Sequence, residues 1–248
     1  GMGINNYGIV TNCAVYGNSA DYGGGIRNYK GAVTNCTVYN NAAYSGGGIY
    51  NEEGAVINCT VYDNSAGDHG GGIYNEGAVT NCIVWNNNIK DIYCSSNEPV
   101  TVSYTCYETG ENISGDNNIQ NQPLFIDTMG DSSLWDFHLK SGSPCIDAGE
   151  EEGAPETDIE GTIRPQGAGV DMGAYEFKNY LKALFYAEKS YLLYDLSVQF
   201  HDASYGNPDG WEWDFDGDGV VDSTEQNPEF TFSEPGFYTV SLTVTKEG

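Results

Sequence analysis

Short alternating stretches recur along the first ninety or so residues of the chain. In Cys36-Thr37-Val38-Tyr39, alternation puts Cys36 and Val38 on one face and Thr37 and Tyr39 on the other, as in a strand. These residues are β-branched, aromatic or small, and Gly/Asn clusters bound them, so helices are disfavoured. The stretches are also copies of one another. Thr11-Asn12-Cys13, Thr34-Asn35-Cys36, Ile57-Asn58-Cys59 and Thr80-Asn81-Cys82 follow at a constant step of 23 residues. Gly23-Gly24-Gly25-Ile26, Gly46-Gly47-Gly48-Ile49 and Gly70-Gly71-Gly72-Ile73 recur in step, each followed two residues on by Asn28, Asn51 or Asn75. Interlocked markers at one period define a solenoid.

The period selects the kind of solenoid. Helical repeats run to ~33–47 residues, and a leucine-rich repeat needs a leucine ladder that this chain lacks. An all-β fold remains, a right-handed parallel β-helix whose coils stack at roughly 4.8 Å. Stacking predicts inward columns of Cys13, Cys36, Cys59 and Cys82, of Val15, Val38, Val61 and Val84, and of Ile26, Ile49 and Ile73. The asparagines are expected at turns, where a short amide tolerates left-handed backbone and pairs with its equivalent one coil away. The glycine triplets allow a bend that a Cβ would block.

From Asp91 the coils lose regularity, although Val100-Thr101-Val102-Ser103-Tyr104 still alternates and predicts one more strand. Cys106 follows Cys82 by 24 residues and is expected to extend the thiol column. The ladder cysteines read as buried free thiols. Among Cys94, Cys106 and Cys145 one disulfide is compatible with the sequence, with its connectivity open. Histidines 69, 138 and 201 are isolated, and no zinc site is expected.

The last part changes character. Leu196–Phe200, Trp211–Phe215, Phe230–Phe232 and Tyr238–Val244 alternate and are separated by turn residues, which predicts a small antiparallel sandwich. We place the solenoid with its irregular last coils at 1–178 and the sandwich at 179–248. Inside the sandwich, Asp214, Asp216, Asp218, Asp222 and Glu225 follow the oxygen-ligand spacing of a calcium loop, with Gly219 at its sixth position. Val220 would add a backbone carbonyl. Strands flank the loop instead of helices, so the expectation is Ca²⁺ chemistry without an EF-hand.

Two resemblances add to this. Gln122-Pro123-Leu124-Phe125, the run Phe137 to Gly149, Asp158 to Pro165 and Val170 to Glu176 resemble the C-terminal region of bacterial secreted right-handed β-helix proteins. Trp211 to Phe215, Asp218-Gly219, Asn227-Pro228 and Pro235-Gly236-Phe237-Tyr238-Thr239-Val240 resemble a polycystic-kidney-disease (PKD) domain, an immunoglobulin-like module of bacterial surface proteins and secreted degradative enzymes. The first implies fold and secretion, and the second lacks its usual last strand, so a continuation is expected. Arg164, flanked by Asp158, Glu160 and Asp171, reads as an internal ion pair, with a clamp for a ligand carboxylate as the alternative.

Charge narrows the partners. Nine Lys and Arg against 36 Asp and Glu give a net charge of −27, which argues against nucleic acid and anionic membrane surfaces. No apolar run reaches the ~18 residues of a membrane span, so no direct membrane insertion is expected. The chain begins in mid-repeat, which predicts that a signal peptide and further coils precede it. It is expected to be extracellular or at the cell surface, and monomeric.

Three functions were weighed. Parallel β-helices host pectate lyases and polygalacturonases, but uronate elimination needs a base and clustered cations, and hydrolysis needs paired carboxylates. The coils offer only Arg27, Lys30 and Lys90, unaligned, with scattered acids; Asp68-His69 is the best local pair and stands alone. A part of a polysaccharide-degrading enzyme is therefore the alternative. Tyr16, Tyr39, Tyr62 and Trp85 step by 23 on the outward parity and predict an exposed aromatic stripe for a polysaccharide or cell-surface glycan. The favoured reading is a non-catalytic surface scaffold of adhesin type, carbohydrate-associated, with a calcium-binding PKD-like module.

Overall fold

The computed structural model describes residues 3–95, 100–178, 181, 183–188, 196–204, 206 and 208–246. The chain divides into two compact units, Gly1–Phe177 and Lys178–Gly248. The expected boundary after residue 178 adjoins residues 179 and 180, which lie outside the described residues.

The first unit is a parallel β-solenoid. One sheet stacks Ile4–Asn6, Ile26–Asn28, Ile49–Asn51, Ile73–Asn75, Ile92–Cys94 and Gly110–Glu111. A second stacks Ile9–Thr11, Ala32–Thr34, Ala55–Ile57, Ala78–Thr80 and Thr101–Ser103, and a third Ala14–Tyr16, Thr37–Tyr39, Thr60–Tyr62, Ile83–Trp85 and Cys106–Tyr107. A short fourth sheet holds Ser19–Tyr22, Ala42–Ser45 and Ser65–His69. Register follows the sequence period: Val15 pairs with Val38, Val38 with Val61, and Val61 with Val84. The inward columns are dry. Val38, Val61 and Val84, Ile26, Ile49 and Ile73, and Cys36, Cys59 and Cys82 are all fully buried, and Cys13 is half-buried at the first coil.

Two jobs expected of one set of asparagines fall to different columns. Left-handed backbone belongs to Asn12, Asn35, Asn58 and Asn81, at φ between 47° and 56°. A second left-handed column runs through Asn40, Asp63 and Asn86, so Asp63 recurs for its backbone and not for its charge. Pairing belongs to Asn6, Asn28, Asn51 and Asn75, at strand ends, whose amides donate coil to coil at 2.7–2.8 Å. A parallel ladder, Asn18, Asn41, Asn64 and Asn87, ends on the buried carboxylate of Asp91 at 2.9 Å. Gly24 shows why its triplet excludes side chains, because a Cβ there would collide with the carbonyls of Ala42 and Gly47.

The thiol column ends differently from the expectation. Cys106 pairs with Ile83, not with Cys82, and faces outward toward Cys145. Thr105, 23 residues after Cys82, takes the ladder place, its Oγ1 donating to Ser103 O as Cys82 Sγ donates to Thr80 O. All seven cysteines are free thiols, and the thiol–thiol contact with Cys59 together with burial pushes Cys36 far above the ordinary thiol range.

Residues 120–177 fold back over the outer face of the third sheet. The hairpin Phe125–Asp127 and Asp136–Leu139 brings Phe125, Phe137 and Leu139 into a second core with Tyr39, Ile83, Cys106, Cys145 and Met172. The asparagines of the Thr/Ile-Asn-Cys triplets clasp this cover: Asn35 Nδ2 donates to Thr157 O, Asn58 Nδ2 to Asp171 O and Asn81 Nδ2 to Glu150 O, at 2.6–3.0 Å. Left-handed backbone turns these side chains outward, and the cover gives them partners.

The second unit is antiparallel. Ser197–Asp202 pairs with Phe185–Ala187 and with Glu229–Thr231, and Gly210–Asp214 pairs with Ser241–Thr245. Phe200, Trp213 and Phe215 are its buried centre. The strand expected over Tyr238–Val244 begins only at Ser241, and Phe185–Ala187 is a strand the alternation did not mark.

Candidate metal and ligand sites

Tyr16, Tyr39, Tyr62 and Trp85 stand in register on consecutive coils. They do not form an exposed stripe. Tyr16 is 53% exposed, but Tyr39 is only 9% exposed and Tyr62 and Trp85 are half-buried. The cause is the cover: Tyr39 lies 5.3 Å from the Phe137 ring and 5.8 Å from Trp135, and Tyr62 meets Phe125, Trp135 and Phe137. Burial of large rings against one another outweighs their exposure as a platform.

The aromatic column open to solvent lies elsewhere. Arg27, Tyr50, Tyr74 and Tyr93 occupy the middle, outward position of the first sheet in register. Tyr50 and Tyr74 stack face to face at 4.4 Å, Tyr74 and Tyr93 follow at 5.3 Å, and the Arg27 guanidinium lies 4.6 Å from the Tyr29 ring centre. Its sequence signal was the residue between each Ile and Asn of the second marker. Stacked rings present edges outward, with their faces turned to one another.

Trp85 is the exception within its column. No ring packs on it among the described residues, and it borders a cavity of about 330 Å³ whose walls include Tyr62, Leu124, Gln122, Asp127 and Lys140. Apart from Tyr62 and Trp85, the period did not point to these residues, because the walls come from the irregular segment.

The acidic loop of the second unit follows directly on the strand Gly210–Asp214. Ligand oxygens of Asp214, Asp216 and Asp218 lie within 4.8 Å of one another. Asp214 accepts from the N–H groups of Gly217 and Gly219 at 2.7 and 2.9 Å, Asp216 from Asp218 N, and Asp218 from Val220 N. Partial desolvation opposes ionisation of Asp214, but these N–H bonds outweigh it and hold its carboxyl below the usual range. Asp222 and Glu225 lie outside the cluster. Asp222 Oδ2 accepts from Phe215 N at 2.7 Å, and the Glu225 carbonyl accepts from Trp213 Nε1 at 2.9 Å. Three carboxylates meet where a hard cation could sit, fewer than the ~6–8 oxygens calcium takes. Those carboxylates suit Ca²⁺ in kind, with backbone carbonyls and water left to complete the shell.

Arg164 is an internal pin. Its Nη1 donates to Glu176 Oε2 at 2.9 Å and to Asp171 O, and its Nη2 donates to Gly173 O, with both charged side chains 1% exposed. The ionic partner is Glu176, which lies outside the three acids that flank Arg164 in the sequence. Burial pushes the neighbouring Asp171 up to about 7, against two N–H bonds from Asp147 and Phe177. Asp68 and His69 pair at 2.8 Å on the fourth sheet.

Comparison with known families divides along the same chain. Residues 191–248 match the PKD domain. Residues 58–76, from Asn58 through the third glycine triplet to Glu76, match the Chlamydia polymorphic membrane protein repeat. No curated protein and no solved structure shows significant similarity to the chain. The protein is thus a parallel β-solenoid of stacked repeats followed by a segment of PKD type. No helix among the described residues is long and apolar enough to cross a membrane.

Proposed function

We propose that this chain is a secreted or cell-surface scaffold of adhesin type, non-catalytic, associated with carbohydrate and carrying a calcium-binding PKD segment. One observation carries the reading: the recurring side chains of each coil bond or pack onto the next coil. The asparagine ladders, the Ile, Val and Cys columns and the stacked tyrosines all point along the stacking direction. Such a solenoid extends by one rung for each repeat and holds a surface at a distance. The repeat and domain matches support a surface setting, and a charge of −27 favours extracellular partners that are not polyanions. Calcium is supported by the meeting of Asp214, Asp216 and Asp218.

Antibodies raised against the chain test the setting. Labelling of intact cells, removed by brief protease treatment of those cells, is the expected result. Labelling that appears only after permeabilisation would overturn the surface reading.

A further inference from the structure

We infer that the cavity beside Trp85 binds a neutral pyranose unit of a polysaccharide, an inference that rests on the carbohydrate-associated reading above. Sugar recognition by an aromatic ring needs a face turned outward. In the solenoid those faces are largely taken: Tyr7 stacks on Tyr29 at 4.2 Å, Tyr16 on Tyr39 at 4.9 Å and Tyr50 on Tyr74 at 4.4 Å. Trp85 is half-exposed, ends the third-sheet column, and has no ring partner among the described residues.

The space in front of it is suited to a small polar ligand. A volume of about 330 Å³ lies at the low end of small-molecule pockets, ~300–1,000 Å³. Its walls mix an aromatic floor, Trp85 and Tyr62, with exposed Gln122, Asp127 and Lys140, which supply donors and acceptors in the manner a polyol needs. Lys140 forms no ion pair among the described residues, and its charge is balanced across the cavity by Asp127. A neutral sugar therefore fits better than a uronate, which the chain's charge of −27 would also repel.

The walls are held in place. Lys140 N donates to Leu124 O at 2.8 Å, Tyr62 OH to Thr128 Oγ1 at 3.3 Å, and Met129 N to Asp127 Oδ1 at 2.9 Å. Leu124 is held at φ 55°, a conformation that bulky side chains rarely adopt, and stands partly exposed on the cavity wall.

The test is affinity electrophoresis and calorimetry of the full chain against β-glucan, mannan, xylan and galactan. At least one is expected to bind, with affinity falling tenfold or more in Trp85→Ala and in the surface variant Gln122→Ala. Trp85→Phe should keep most of the binding, and Tyr50→Ala all of it. Binding that survives both Trp85→Ala and Gln122→Ala would remove the cavity while leaving the carbohydrate reading in place. Absence of binding to every glycan would remove both. Occupation by an apolar dye that no glycan displaces would assign the cavity to another chemistry and overturn the inference.

Discussion

Asn51 donates from Nδ2 to Oδ1 of Asn75 at 2.7 Å, with both side chains fully buried between adjacent coils. The same nitrogen reaches Gly54 O, and Asn51 Oδ1 accepts from Asn28 at 2.7 Å. Asn51→Ala removes three bonds and leaves a void, so it should cost about 3 kcal/mol. Asn51→Asp should cost more, because a carboxylate sets an acceptor against the acceptor of Asn75 and buries a charge. Urea unfolding followed by far-ultraviolet circular dichroism checks the order. An aspartate variant as stable as wild type would show that the ladder does not set the coil stacking.

Arg164 and Glu176 predict a different pattern of losses. Removing either partner leaves the other buried and uncompensated, a loss of about 3–5 kcal/mol, whereas Arg164→Met with Glu176→Leu should cost markedly less than either single change. Trp135, packed on Tyr39 and Tyr62 in the cover, offers a fluorescence signal for its release from the third sheet. Additive losses in the double variant would mean that the pair is not an interacting unit.

The columns were legible in the sequence because a solenoid turns a fixed step along the chain into a vertical neighbour. Val38, Cys59 and Ile73 needed only the step and the alternation. Cys106 was misplaced because residue identity was followed where the period pointed to Thr105; Ser103-Tyr104-Thr105 replaces the Thr-Asn-Cys phrase, and Tyr104 keeps its left-handed backbone at φ 47°. Burial of Tyr39 was not legible, because the rings that cover it, Trp135 and Phe137, lie in a segment with no period. The acidic loop was legible as spacing, since Asp214, Asp216 and Asp218 converge. Asp222 was not, because its carboxylate is taken by the N–H of Phe215.

Stability of the cover should depend on pH through His138. Its Nδ1 lies 2.6 Å from Asp136 and its Nε2 3.2 Å from Glu160. Burial lowers the imidazole's pKa, but bonds to the two carboxylates outweigh it and leave the group above the ordinary range. A raised folded-state value means that the contribution is complete below the unfolded histidine value, ~6.5, and is lost as pH rises through the folded value. Asp171, raised to about 7 by burial, acts in the same direction: its contribution is complete below the unfolded aspartate value and is lost as pH rises through about 7. The melting temperature of wild type should therefore fall between pH 6 and 8, and His138→Gln should flatten part of that fall. An unchanged slope in His138→Gln would remove the histidine from the account.

Calcium gives the last prediction, and it concerns the second unit. Asp214, Asp216 and Asp218 hold like charges within 4.8 Å, which repel one another unless a cation lies between them. Their carboxylates already accept backbone N–H groups, so the loop has its shape before any ion arrives and little ordering opposes binding. Adding Ca²⁺ to the chelator-treated chain should raise the melting temperature of this unit by several degrees and give a heat of binding. Because ligand binding stabilises the folded state by RT ln(1 + [L]/Kd), the shift should keep growing as Ca²⁺ exceeds its dissociation constant. Asp216→Asn should weaken the response, and a comparable addition of Mg²⁺ should produce less, since a smaller ion demands tighter octahedral geometry. No thermal shift and no heat, in a chain whose Asp216→Asn variant melts like wild type, would mean that the three carboxylates form only a solvated turn.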